Sequence, residues 1–170
     1  MKVHAFVLAS TLLLTGSFAT MAGAQAASRE VRGPIWILMG SSPKALQSIE
    51  VKAPANGNLI LTVSGTVNYE HVSGTAGNFC LQLSTAANNV GGCVPDGGSD
   101  SAIRSYIAAG VASTTPGFGA SSPYSIVRTY AVTAGTTYTF YLNGYEDGLN
   151  STWLFQPAMT ALFVPDTLAQ

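Results

Sequence analysis

The chain of 170 residues carries a net charge of −1, and only 9% of its residues are charged. Its seven basic residues form no cluster, which leaves a nucleic-acid partner without electrostatic support. Ordinary soluble domains are about 25% charged, so threonine, serine, asparagine and glycine supply much of the polar surface.

Met1 to His4 form a short basic start, and Ala5 to Leu14 an apolar run. That run falls short of the roughly 20 residues of a membrane-spanning helix. Small residues then lead to Ala24-Gln25-Ala26, with Ala22-Gly23-Ala24 as an alternative cut. Residues 1–26 therefore read as a cleavable secretory signal peptide, which sends the protein to the periplasm or the cell exterior. No later stretch is long and apolar enough to span a membrane as a helix. Residues 27–33 read as a charged, mobile leader, residues 34–165 as a single domain and residues 166–170 as a tail.

Pro34 to Met39 is a short apolar run that predicts one buried strand, with Trp36 in the core. From Ala45 to Ala53, apolar Leu46, Ile49 and Val51 are set against Ser48, Glu50 and Lys52, and Pro54 to Gly57 is a turn by composition. Asn58 to Tyr69 predicts a long strand with Leu59, Leu61, Val63 and Val67 on one face. After a loop from Glu70 to Gly77, Phe79, Leu81 and Leu83 point one way while Cys80 and Gln82 point the other. Ser84 to Gly92 is a turn of small residues before Cys93.

Two cysteines in an exported chain most simply form one disulfide, Cys80 to Cys93. It closes a loop of about 14 residues, worth up to about 3 kcal/mol in the chain-entropy model, and staples what reads as a hairpin.

Ile103, Ser105 and Ile107 alternate with Arg104, Tyr106 and Ala108, predicting a strand that reaches Val111. Ser113 to Pro123 reads as a long surface loop and a candidate binding element. Ser125 to Tyr145 holds the strongest pattern in the chain. Two alternating arms flank Ala134-Gly135, which predicts a hairpin. Tyr138, Phe140 and Leu142 form its core row, with Thr139, Tyr141 and Asn143 opposite. A polar stretch from Glu146 to Asn150, a segment carrying Trp153, and a last strand from Met159 to Pro165 complete the chain. Short strands with glycine-rich turns and no convincing helix predict an all-β fold. The expected form is an antiparallel two-sheet sandwich, jelly-roll-like, of about 7–10 strands.

Catalytic chemistry finds little to use. His71 is the one histidine after the signal segment and reads as a solvated loop residue, and no G-x-S-x-G elbow is present. Glu50, Glu70 and Glu146 could serve a small hydrolase only if they shared a cleft. Asp96 with Asp100, and Glu146 with Asp147, offer hard oxygen ligands for calcium without matching its usual loop. No metal, cofactor or catalytic set is expected. Asn150-Ser-Thr152 is an N-glycosylation sequon, meaningful in a eukaryotic source. The candidate ligand-binding residues are Tyr141, Asn143, Tyr145 and Trp153, where aromatic rings lie beside amide and hydroxyl groups suited to a carbohydrate or cell-surface ligand.

An early APANGNLILTVSGTV, a late VRTYAVTAGTTYTFYLNG and a terminal TALFVP recur in a telling order. Over Ser48 to Pro165 the chain resembles the jelly-roll domains of the C1q and tumour-necrosis-factor type, in the form of an uncharacterised exported bacterial protein. The resemblance implies a two-sheet sandwich that forms a homotrimer and works by binding. The chain lacks the collagen-like stalk of C1q itself. The expected function is extracellular binding or adhesion without catalysis, with glycans as one ligand class. The alternative is a self-associating structural component of an envelope or matrix.

Overall fold

The computed structural model describes residues 28–93, 102–115 and 119–166. Among the described residues nine strands run in order: β1 (Ser28–Arg32), β2 (Trp36–Leu38), β3 (Lys44–Lys52), β4 (Gly57–Glu70), β5 (Gly77–Ser84), β6 (Ala102–Ile107), β7 (Ala120–Val132), β8 (Thr137–Asp147) and β9 (Ser151–Pro165). One sheet has the order β1-β9-β4-β7, with β2 also paired to β9; the other has the order β3-β8-β5-β6. All pairings are antiparallel. With β1 and β2 counted as one interrupted strand, this is the eight-strand order of a jelly roll.

The strands form because their apolar residues recur at every second position, so one face of each sheet packs into the shared core. Leu59, Leu61, Val63 and Val67 from β4 meet Phe79, Leu81 and Leu83 from β5 and Phe140 and Leu142 from β8, all nearly inaccessible. In β3 the alternation slips between Leu46 and Ile49. A bulge at Leu46, where the pairing with β8 jumps from Ala45 to Gln47, absorbs the extra residue.

The arms expected to pair as a hairpin do not pair. Val132 and Thr137 end strands of different sheets, so Thr133–Thr136 crosses the sandwich. The turn bonds instead to the neighbouring crossing from β3 to β4. Gly135 N–H donates to Ala53 O (2.8 Å), Ala53 N–H to Thr136 O (2.9 Å), and Ala134 N–H to the Asn56 side chain (2.8 Å). Tyr130 and Phe140 consequently meet ring to ring across the core, 4.7 Å between centroids. Period-two alternation is the same whether two strands share a ladder or face each other across a core, and this explains the discrepancy.

Residues 28–32 are an edge strand rather than a mobile leader. Their backbone pairs with Ala158–Leu162, Val31 packs on the core, and the Gln47 side chain donates to Val31 O (2.9 Å). Charge in such a strand is tolerated because its charged side chains stay exposed while the main chain pairs; Glu30 and Arg32 form a surface ion pair.

The last two apolar segments are one strand, β9, interrupted by a bulge. Pairing with β4 jumps from Ser64–Ala158 to Thr66–Phe155, which leaves Gln156 and Pro157 opposite Gly65. Gln156 takes a positive φ of 47°, and its N–H donates to Ile35 O (3.0 Å). A proline cannot donate to a ladder, so a central strand admits it only at such a site.

The expected 113–123 loop also shortens. Ala120–Pro123 already pair with Thr66–Tyr69, and Pro123 is accommodated because β7 is an edge strand. At the other end of the preceding segment, β6 stops at Ile107 rather than Val111.

Candidate interaction surfaces

The four candidate ligand-binding residues fall on two sheets. Tyr141, Asn143 and Tyr145 share the outward row of β8, whereas Trp153 lies on the outward row of β9 in the other sheet. They do not form one platform.

Asn143 is wholly buried. Its Oδ1 accepts from Asn88 N–H (2.8 Å), and its Nδ2 donates to Ala86 O (2.9 Å) and Asn89 O (3.0 Å). The amide is thus spent on holding the 85–93 loop over the outer face of β5 and leaves nothing for a ligand. Cys80 and Cys93 complete the clamp, disulfide-bonded with Cα atoms 6.0 Å apart. The disulfide ties a folded-back loop to its own strand rather than bridging two strands. Tyr141 and Tyr145 remain half-buried, with Tyr145 opposite Cys80.

His71 is 1% exposed, not solvated. Its ring nitrogens lie 2.7 Å from Thr75 O and 3.5 Å from Ala112 O, while its main chain exchanges bonds with Thr114. Donation from Nε2–H to Thr75 O and cover by the 112–114 backbone account for its burial, which a glycine-rich local sequence does not reveal. Glu50, Glu70 and Glu146 sit on β3, β4 and β8; Glu70 accepts from Ser151 Oγ (3.0 Å) and Glu146 from Leu149 N–H (3.3 Å). Asp96 and Asp100 lie outside the described residues. Among the described residues no three acids, histidines or cysteines come together as a metal site would need.

The surface that stands out was not expected. Trp36 and Leu38 are each 55% exposed, so the predicted buried strand lies on the outside, with its inward positions at Ile37 and Met39. A three-residue apolar run does not reveal which of its faces a neighbour will cover. Trp36 stands opposite Phe155, rings 4.6 Å apart, and Leu38 stands opposite Trp153. Trp153 in turn neighbours Asn68, which is hydrogen-bonded to Ser121.

The apolar surface continues along the sheet. Ile60 lies between Leu162 and Thr129, and Thr62 between Thr160 and Val127. Between Asn58 and Asn68 the outward rows of β4, β9 and β7 contain no charged residue. Exposed apolar patches of this continuity mark docking surfaces in soluble proteins.

Two tyrosines behind this sheet have perturbed hydroxyls. Burial pushes the Tyr124 hydroxyl well above the usual tyrosine range, and that oxygen has no hydrogen-bond partner. Burial also raises Tyr130, partly opposed by the nearby Arg128 guanidinium, 5.3 Å from the ring centroid.

No family model matches the chain. No curated protein matches it either. Among solved structures it is similar to the infectious bursal disease virus VP2 subviral particle, at 12% identity and a TM-score of 0.39, over 81% of this chain and 32% of that one. The Gx strain of the same virus gives 10% identity and the same TM-score and coverage. Desmodium yellow mottle tymovirus gives 10% identity and a TM-score of 0.32 over 85% of this chain and 91% of that one. The chain spans about a third of the length of the first two. Likeness at this level concerns fold alone. The jelly-roll-like sandwich rests on the strand order of the two sheets, and nothing singles out the C1q and tumour-necrosis-factor branch.

Proposed function

We propose that this protein is a non-enzymatic structural β-sandwich that associates with copies of itself through the outer face of its five-stranded sheet. The observation that carries this reading is the cluster of exposed Trp36 and Leu38 with half-buried Phe155 and Trp153, on a face whose central rows hold no charge. A second copy can cover such a face without desolvating an ion or opposing like charges.

The size is also suitable. The charge-free rows of β9, β4 and β7, with 13 residue pairs between β4 and β7, span roughly 600 Å² at about 4.8 Å per strand and about 3.3 Å per residue. Trp36 and Leu38 of β2 extend this toward the roughly 800 Å² that each partner contributes to a standard interface. The resemblance to C1q and tumour-necrosis-factor domains implies three copies. An exported protein fits the Cys80–Cys93 disulfide, since disulfides persist in oxidising compartments.

The chain has two tryptophans, and both lie on this face. Their emission reports its burial directly. Emission should shift to the blue as concentration rises and to the red on dilution; a spectrum independent of concentration from nanomolar to high micromolar would count against association.

Extracellular binding or adhesion, with a glycan as ligand, is the second reading. It draws on Trp153 lying beside the Asn68 and Ser121 side chains on the same face. One face cannot serve sister copies and a glycan at once, so oligomeric state separates the two readings.

A further inference from the structure

The outer face of the five-stranded sheet is not evenly filled. β1 and β2 both pair with β9, and residues 33–35 cross between them beside the Gln156–Pro157 bulge. Gly33 N–H donates to Pro157 O (2.8 Å) and Gln156 N–H to Ile35 O (3.0 Å), which fixes the crossing. Gly33 comes this close because it lacks a Cβ, which would lie 2.7 Å from Pro157 Cγ. The interrupted edge leaves a hollow of about 230 Å³ lined by Arg32, Gly33, Ile35, Gln156, Pro157 and Ala158. Small-molecule sites usually measure about 300–1,000 Å³. This hollow is smaller and suits one large side chain.

Trp36 stands at its rim, next in sequence to Ile35 and more than half exposed. The lining matches an indole. Arg32 Nε donates to Glu30 (2.8 Å), so the guanidinium is held by one edge and its flat face can stack on a ring. Gly33, Pro157 and Ala158 supply an apolar floor. The Gln156 amide can accept the indole N–H, which needs a partner once buried. Leu38, Val127, Leu162 and Val164, also exposed on this face, are aliphatic and offer an arginine no ring. Within one copy Trp36 leans on Phe155, 4.6 Å between centroids, which leaves the hollow for a second copy.

Ring and hollow lie side by side on one sheet face, on the outward rows of Trp36–Phe155 and Arg32–Ala158, and point the same way. A partner that offers the same pair must face the opposite way, which a two-fold axis in the plane of contact achieves. A three-fold axis would need ring and hollow on surfaces inclined to each other. We propose that two copies pack face to face about such a two-fold axis, each seating its Trp36 indole in the other's hollow between Arg32 and Pro157. This rests on the self-association reading and gives it a geometry, with two copies rather than the three that the resemblance implies.

The test replaces Trp36 by the photo-cross-linker p-benzoylphenylalanine in the disulfide-bonded protein and irradiates it at a concentration where the parent associates. The expected product has the mass of two chains, with the cross-link at Arg32–Gly33 or Gln156–Ala158 of the second copy. Ala158→Leu fills the hollow and should weaken dimerisation at least tenfold in sedimentation, whereas Ala158→Ser should sediment as the parent does. A cross-link into β4 or β7, a cross-link within one chain only, or an assembly of three overturns the two-fold seating but leaves self-association standing. So does a folded Ala158→Leu that assembles as tightly as the parent. A parent that stays monomeric overturns both, so the two failures are told apart.

Discussion

Gly65 and Tyr124 face each other across β4 and β7 so closely that a Cβ on Gly65 would lie 2.8 Å from the Tyr124 hydroxyl and 3.1 Å from its ring. The same glycine stands opposite the Gln156–Pro157 bulge of β9. Gly65 therefore makes room for an aromatic core residue where the sheet is also distorted. Gly65→Ala should cost about 1–3 kcal/mol, the usual penalty of overpacking. Urea unfolding measures it, and part of the loss should return in a Tyr124→Phe background, where the nearest atom is gone. A neutral Gly65→Ala would contradict the packing described.

The buried Tyr124 hydroxyl lacks a partner. Leaving such a group unpaired costs about 1–3 kcal/mol, so Tyr124→Phe should stabilise the protein by about 1 kcal/mol at neutral pH. The pH dependence follows from the raised hydroxyl. Below about pH 10 both folded and unfolded chains keep the proton; above it the unfolded chain releases a proton that the folded chain retains. Stability then falls by up to about 1.4 kcal/mol per pH unit for this group. Tyr130 is raised in the same direction and adds to the fall. Denaturant unfolding between pH 8 and 11 should show a shallower decline for Tyr124→Phe than for the parent.

Asn143 is a second point of leverage. Asn143→Ala removes three hydrogen bonds to the 86–89 backbone and should cost about 3 kcal/mol at roughly 1 kcal/mol per bond. Amide exchange at Asn88 should accelerate sharply while β4 and β9 stay protected. Cys93→Ser should loosen the same loop, and its effect should not simply add to that of Asn143→Ala, because both hold one segment.

The core rows were readable from sequence because alternation states which residues face inward: Leu59, Leu61 and Val63, or Phe140 and Leu142, are where the pattern puts them. Partner choice was not readable. The arms around Ala134-Gly135 lie in different sheets because Ala53 and Asn56, about 80 residues earlier, take the hydrogen bonds that a hairpin turn would use. Asn143 looked like a binding residue because outward position on a strand does not disclose a loop returning to cover it. Trp36 looked like core because apolar neighbours say nothing about which partners remain after folding. The exposed face became visible only once Trp36, Phe155 and Trp153, distant in sequence, stood side by side.

Self-association through that face is the central claim, and sedimentation of the disulfide-bonded protein over a dilution series tests it most directly. The parent should sediment as a closed oligomer that dissociates on dilution, and Trp36→Ser/Leu38→Ser, at two half-exposed positions, should run as a folded monomer throughout. A parent that stays monomeric at several hundred micromolar, or a double variant that assembles as tightly as the parent, would contradict it.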